Sequence, residues 1–499
     1  MSASDLIALL PLIVLSSGAV VMMLVIAFRR DHALTAGITL VILALAFLAN
    51  FLHPGGTVQV TPLLIIDGFT VFMVGLLLAA SFVIVLLGYG YFRVREIRPE
   101  EFYLLLVLAT LGACVLAASS HFVSLFIGLE ILSISLYAMI GYSYHNALTV
   151  EAGMKYLLLA ASSAAFLLFG MALIYFETGT MVFGGADSGL GAAAGSISIV
   201  MLAGLVMMLV GFGYKLALVP FHLWTPDVYE GAPAPVTAFV ASISKGSVFA
   251  VLLRFFLPFD VTGRPALLPV FLVIAIVTML AGSLLALLQT NLKRLLAYSS
   301  IANLGYLLVA FMATGASAIT AAIFFLVSYF VTILAAFGVV TALSSRSRDA
   351  DMLDDYYGLM WRHPWLAAVL AVSMFSLAGI PLTVGFLGKF YVILASIGSS
   401  QWLLAVVLVI SSAIGLFYYL RVVVALFSPA EQATRPPAVV AQSGTLPSGQ
   451  MSASSAQPIA AYSTAGWVAL AALLVLLFIL GILPDPLIDL INRLVSGGI

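Results

Sequence analysis

Charge is what this sequence lacks most: 8% of its 499 residues are Asp, Glu, Lys or Arg, whereas 64% are hydrophobic. Soluble chains carry roughly 25% charged residues, so the deficit excludes a free-standing water-soluble domain and places the chain in lipid. The net charge is −1, which leaves no polybasic surface and no footprint for nucleic acid. One cysteine, Cys114, excludes disulfides within the chain, thiolate zinc sites and iron–sulfur clusters, each of which takes several thiols. No P-loop, dinucleotide fingerprint or nucleophile with a nearby base occurs, and no span holds a histidine pair for haem, so the chain is expected to transfer no electrons itself. A cleavable leader is not expected either: the first apolar run, Leu6 to Phe28, is too long for an h-region and has no basic segment before it.

What the chain has is apolar length. A helix needs about 20 apolar residues to cross a bilayer. On that rule the sequence reads as an all-α polytopic membrane protein with about fourteen transmembrane helices. They run near 6–28, 33–52, 68–91, 102–118, 122–142, 152–176, 196–224, 235–257, 266–290, 295–313, 316–343, 364–398, 402–427 and 464–483. The seventh and twelfth are too long for one straight helix, and each holds a proline near a break, Pro220 and Pro381. Two broken spans five apart, each with a lysine, point to two five-helix units, 102–257 and 266–427. Since five is odd the copies are inverted, the transporter arrangement in which broken helices form the ion site. Three spans precede them in 1–101 and one follows in 463–499. Residues 428–462, rich in Pro, Ala, Ser and Gln, read as a flexible cytoplasmic loop, and 184–195 as a Gly/Ala-rich external connection.

Basic residues orient the chain, because cytoplasmic loops retain arginine and lysine. The odd-numbered loops hold Arg29, Arg30, Arg93, Arg95, Arg98, Lys293, Arg294, Arg346, Arg348, Arg362 and Arg435, and the even-numbered loops hold Arg264 alone. Odd loops are therefore expected in the cytoplasm and both termini on the opposite, periplasmic side of a bacterial inner membrane.

The lysines are sorted differently. Lys293 reads as a loop residue, but Lys215 lies inside the seventh apolar run, Lys245 at the centre of the eighth, Lys389 after the twelfth's break, and Lys155 near the cytoplasmic start of the sixth. Arginine cannot release its proton in a protein, whereas a buried lysine shifts its pKa readily and can cycle between charged and neutral forms. Among the acids, Glu130 stands mid-span, where a charge costs about 2.5–3.5 kcal/mol on insertion scales, so it should face a partner or water. Ser133 and Tyr137 follow it at helical spacing, and Ser299, Asn303 and Tyr306 make a similar polar stripe on the tenth span. Such hydroxyls and amides commonly just bond neighbouring helices. Intramembrane ionisable groups, in contrast, mark ion pathways by default. His32, His53, His121, His145 and His363 fall at span ends or in loops and read as solvated. His222 follows the Pro220 break and reads either as a relay to Lys215 or as a structural cap.

Four stretches carry a specific resemblance: "SLFIGLEILSISLYAMIGY", "EAGMKYLLLAASSAAFLLFGMALIYFETG", "GFGYKLALVPFHLWTPDVYEGAPAPVTAF" and "LLQTNLKRLLAYSSIANLGYLLVAF", with "FSLAGIPLTVGFLGKFYV" further on. Over about residues 60–425 the chain resembles the subunit N family of the proton-pumping NADH–quinone oxidoreductase, respiratory complex I, whose fold is shared with cation/proton antiporter subunits. The resemblance implies that Glu130 and Lys215 are a coupled acid–lysine pair, Lys245 a central connecting lysine, Lys389 the terminal lysine and Lys155 a further family lysine. It implies no cofactor on this chain, with FMN and iron–sulfur clusters on partner subunits, and neighbouring antiporter-like and small membrane subunits as partners in the bilayer. The alternative is a subunit of a multisubunit cation/proton antiporter of the same fold. Sodium would need a cluster of carboxylates in the membrane, and Glu130 stands alone. A non-pumping scaffold would have no use for four buried ionisable groups.

Overall fold

A computed structural model describes residues 3–53, 55–95, 98–144, 146–183, 198–256, 266–429 and 463–495. The connection at 184–195, the loop at 428–462 from 430 onward, His145, Arg264 and Arg435 lie outside the described residues.

The chain opens with α1 (Ala3–Ala8), α2 (Leu10–Phe28), α3 (His32–Asn50) and α4 (Gly68–Arg93). Next come α5 (Glu100–Ala118), α6 (Phe122–Ile140), α7 (Ala147–Thr178), α8 (Ile199–Leu216) and α9 (Trp224–Gly231). α10 (Ala234–Phe239) runs through a π-helical turn, Val240–Ser244, into α11 (Lys245–Phe256). Then follow α12 (Leu268–Leu287), α13 (Leu292–Met312), α14 (Ala316–Leu343), α15 (Leu359–Arg362), α16 (Pro364–Ala378), α17 (Val384–Gly398) and α18 (Trp402–Phe427). α19 (Thr464–Ile482) and α20 (Asp485–Val495) end the described chain. Among the described residues thirteen helices, α10–α11 counted as one, are long and apolar enough to cross a membrane. The two shorter apolar helices α16 and α17 are the halves of the expected twelfth span, which gives the fourteen crossings read from the sequence.

Short polar residues between the apolar runs start the helices. Asp31, Asp67, Asn146, Ser198, Asn291 and Ser463 each accept a backbone N–H of the first turn, supplying partners that a helix end otherwise lacks. Two elements have no sequence forewarning. A two-stranded antiparallel sheet, β1 (Val58–Val60) with β2 (Leu64–Ile66), closes the connection before α4. The π turn interrupts what reads as one straight eighth span.

Burial is graded from the centre outward. α10, the π turn, α11 and nearly all of α13 are buried, and α14 is enclosed along its length. The outer helices keep apolar side chains exposed, among them Val20, Leu48, Phe169, Phe417 and Val424, as lipid-facing surfaces do. Two helix pairs cross through the same backbone contact. A Cβ on Gly112 of α5 would stand 2.5 Å from Leu132 N and 2.8 Å from Gly128 O of α6. One on Gly282 of α12 would stand 2.6 Å from Ala302 N and 2.9 Å from Tyr298 O of α13. Residues 128 and 132 of α6 thus meet Gly112 as 298 and 302 of α13 meet Gly282.

Lys293 departs from its expected place in a loop. It lies in the first turn of α13 and its side chain is 1% exposed. The reason is a partner far along the chain: its Nζ donates to Asp349 at 2.9 Å and to the Ala232 carbonyl at 2.7 Å.

Candidate functional site

The first break comes where α8 stops at Leu216, with Ala217 in the left-handed region (φ 60°) and Pro220 in the run of turns that leads to α9. Lys215 stands in the last turn of α8, where unpaired carbonyls favour a cation. Its Nζ donates to Ser133 Oγ at 2.7 Å, and the Tyr156 and Tyr214 rings lie 5.3 and 5.9 Å away. Glu130, one turn before Ser133 on α6, is within electrostatic range of Lys215. The expected acid–lysine pair is thus not an ion-pair contact: Ser133 occupies the lysine, and Glu130 Oε1 is buried without a hydrogen-bond partner. Glu130 is half-buried on a stripe with Val123, Ile127 and Ile134, all exposed on the outside of α6. Tyr137, further along α6, packs its ring on Tyr156 at 5.6 Å between centroids.

Lys245 follows the π turn directly and is 1% exposed. Its Nζ donates to Ser300 Oγ at 2.6 Å, and Ser300 Oγ meets Tyr329 OH at 2.6 Å and Tyr229 OH at 3.3 Å. The Tyr229 ring lies 5.3 Å from the ammonium. No charged side chain pairs with Lys245 among the described residues, so hydroxyls and aromatic faces alone replace its water.

The second break separates α16, ended by Gly379 (φ 85°), from α17. Lys389 projects from α17 but reaches back over the gap. Its Nζ donates to the Leu377 and Ala378 carbonyls at 2.6 and 3.2 Å and to Ser412 Oγ at 2.9 Å. Both breaks therefore place an ammonium at the carboxyl end of the first half-helix, from opposite halves. Tyr306 lies 5.2 Å from the Lys389 ammonium by its ring and bonds Ser411 by its hydroxyl at 2.9 Å. Ser299 bonds Tyr419 at 2.5 Å, and Asn303 donates to Ser299 O at 2.8 Å. Asn303, Tyr329, Thr332, Ser376 and Lys389 line one small internal cavity. Tyr329 thus links the surroundings of Lys245 to those of Lys389.

Two expected site residues stand apart. Lys155, 42% exposed, forms ion pairs with Glu151 and Asp227, both at 2.7 Å, and Arg294 joins Asp227 and Glu230 beside it. His222 is buried in the break with Nδ1 unpartnered and makes no hydrogen bond to Lys215 among the described residues. The lysines' hydroxyl partners Ser300 and Ser412, and Tyr329 behind Ser300, were not singled out by sequence reading. Ser300 lies one residue off the Ser299–Asn303–Tyr306 stripe, a rotation of the helix that only packing reveals.

A family profile described as NADH:quinone oxidoreductase/Mrp antiporter, TM, matches residues 119–415. A protein of Ectopseudomonas mendocina (strain ymp) named NADH-quinone oxidoreductase subunit N is 48% identical over 500 residues, covering 99% of this chain and 97% of the relative. One of the same name from Methylococcus capsulatus (strain ATCC 33009 / NCIMB 11132 / Bath) is 46% identical, covering 98% and 95%. Among solved structures, a chain of respiratory complex I from Thermus thermophilus with bound aureothin is 31% identical with a TM-score of 0.79, covering 96% of this chain and 98% of that one. A chain of the Mrp complex from Dietzia sp. DQ12-45-1b shares the fold at 21% identity and a TM-score of 0.81, covering 99% and 98%.

Proposed function

Because the chain belongs to the family of NADH-quinone oxidoreductase subunit N, we propose that it is the proton-translocating membrane subunit of such a complex, and that Glu130, Lys215, Lys245 and Lys389 carry the translocation. The observation that carries this reading is the run of three buried ammonium groups. Each is held by a hydroxyl and faces a tyrosine ring, and the last two are joined through Ser300 and Tyr329. Desolvated lysines with neutral partners can give up and regain a proton, which arginines in the same places could not.

Electron transfer from NADH to quinone takes place on other subunits, where FMN and the iron–sulfur clusters would sit, since one cysteine offers no ligand set here. Glu130 lies on an outward stripe and one of its oxygens has no partner, which suits a carboxylate whose field is altered by a neighbouring membrane subunit. A carboxylate near an ammonium holds its proton there. Weakening that field would release the proton from Lys215 towards Lys245, Lys389 and the far side. Ser133 buffers the exchange by keeping the Lys215 side chain in place throughout.

The test is at Lys389. In membrane vesicles, proton translocation is measured against quinone reduction, with intact complex quantified separately. If the lysine must release a proton each cycle, Lys389→Arg fails nearly as badly as Lys389→Ala, because guanidinium stays charged. A Lys389→Arg variant that assembles and pumps at the wild-type ratio would show that this lysine does not carry the proton.

A further inference from the structure

Between the broken seventh span and the helix of Lys245 lies a short joint, Ala232 to Ala234. One ion pair holds its buried backbone groups. Lys293 Nζ donates to Ala232 O at 2.7 Å and to Asp349 Oδ2 at 2.9 Å, and Ala234 N–H donates to the same Oδ2 at 3.1 Å. The other oxygen, Oδ1, accepts from Tyr91 OH at 2.8 Å and Arg95 Nη2 at 2.6 Å. Four donors fill the roughly four lone-pair sites of a carboxylate, so Asp349 has none left for a transported proton.

The far end of the same helix is tied as well. Arg254, near the end of α11, pairs with both oxygens of Asp67 at 2.9 Å and donates to Thr70 Oγ1 at 2.9 Å. Both ties end on α4, at its N-cap Asp67 and at Tyr91 near its other end. The helix of Lys245 is thus fixed at its two ends to one strut, and its irregular turn, Val240–Ser244, immediately precedes Lys245. A shift at either end is absorbed in that turn and moves the ammonium relative to Ser300.

From this arrangement we propose that Asp349 is a positioning residue for proton transfer, one that sets the Lys245 ammonium against Ser300 by holding the start of its helix and carries no proton itself. Burial alone would raise its pKa, but the Lys293 and Arg95 charges outweigh burial and hold it at about 2, so it is ionised at any working pH. The inference rests on reading Lys245 as a proton carrier.

Intact complex in vesicles tests it, by protons moved per electron and the pH profile of that ratio. Ser300→Ala removes the partner of Lys245 directly and serves as the reference. Among the described residues Lys245 donates to Ser300 and faces the Tyr229 ring, with Tyr329 one hydrogen bond further on through Ser300, so a moved profile reports on its surroundings. Asp349→Asn should assemble, lower the protons moved per electron, because a transfer slowed roughly tenfold by loss of a charge-assisted hydrogen bond falls behind electron flow, and move the profile in the same direction as Ser300→Ala. The double variant should be no worse than the worse single one, since coupled sites do not add. A wild-type ratio and profile in Asp349→Asn, or losses that multiply in the double variant, overturn the inference. Should Asp349→Asn not assemble, Asp349→Glu, which keeps the charge but displaces the cap, is judged by the same two criteria. Failure of both to assemble would make Asp349 a fold-holding residue and overturn the inference too. Normal pumping by Lys245→Ala sinks the reading of Lys245 itself. Loss there with normal Asp349 variants sinks only the present inference.

Discussion

Ser133 is the residue on which the proposed coupling turns, because it takes the contact with Lys215 that Glu130 does not make. Glu130→Gln should leave the complex assembled and cut pumping per electron to a small fraction, since the amide keeps volume and hydrogen bonding but loses the field at Lys215. Normal pumping by that variant would make Glu130 a helix-contact residue. Asp349 makes a separate, acid-range prediction. Its folded-state pKa is depressed from 3.8 to about 2, so the stability it contributes, about 2 kcal/mol, is complete above 3.8 and is lost as pH falls through about 2. The thermal midpoint of the solubilised protein should drop across that window, and Asp349→Asn should flatten the drop. An equal drop in both proteins would count against the depressed pKa. The buried charges themselves were legible in the sequence, because a lysine stands out in an apolar run. Their partners were not. Serine and tyrosine are ordinary in spans, and which of them faces a lysine depends on a helix rotation of one residue, as Ser299 and Ser300 show.

Both broken spans were legible as elements, since each apolar run was too long for one helix and held a proline between small or polar residues. The structure moves the details: the seventh gives Ile199–Leu216 and Trp224–Gly231 around a link of several residues. The π turn before Lys245 has no proline or glycine at its own positions to announce it. The crossings of α5 on α6 and of α12 on α13 are alike, and they join the first two helices of each of the two five-helix units proposed from the broken spans, 102–257 and 266–427. They also yield a packing prediction. Gly112→Leu or Gly282→Leu would drive a side chain into facing backbone 2.5 or 2.6 Å from the new Cβ. Either should cost about 3 kcal/mol or more and lower the amount of assembled complex, whereas Gly37→Leu, with open space around it, should not. Equal amounts from all three would show that the close crossings are not required.

For the whole molecule, the arginine distribution sets the orientation proposed here, with both termini outside a bacterial inner membrane. A probe attached in the loop at 344–363 should react only from the cytoplasmic side and one at the C-terminus only from outside, because three crossings separate them. Labelling of both from one face would break the fourteen-span count. The loop's acidic residues were not singled out in the sequence, because their importance lies in contacts made across the chain: Asp349 meets Arg95, 254 residues away, and Lys293, 56 away. That same long reach gives the site a history during synthesis. Lys215 enters the bilayer with its hydroxyl already present, since Ser133 lies 82 residues upstream. Lys245 does not, because Ser300 lies 55 residues downstream and Tyr329 a further 29. At roughly 5–20 residues per second, the ribosome leaves the helix of Lys245 without its partner for some seconds. During that interval this helix must shelter against already inserted segments or the insertion machinery, and the later arrival of α13 and α14 is what makes its place in the lipid permanent.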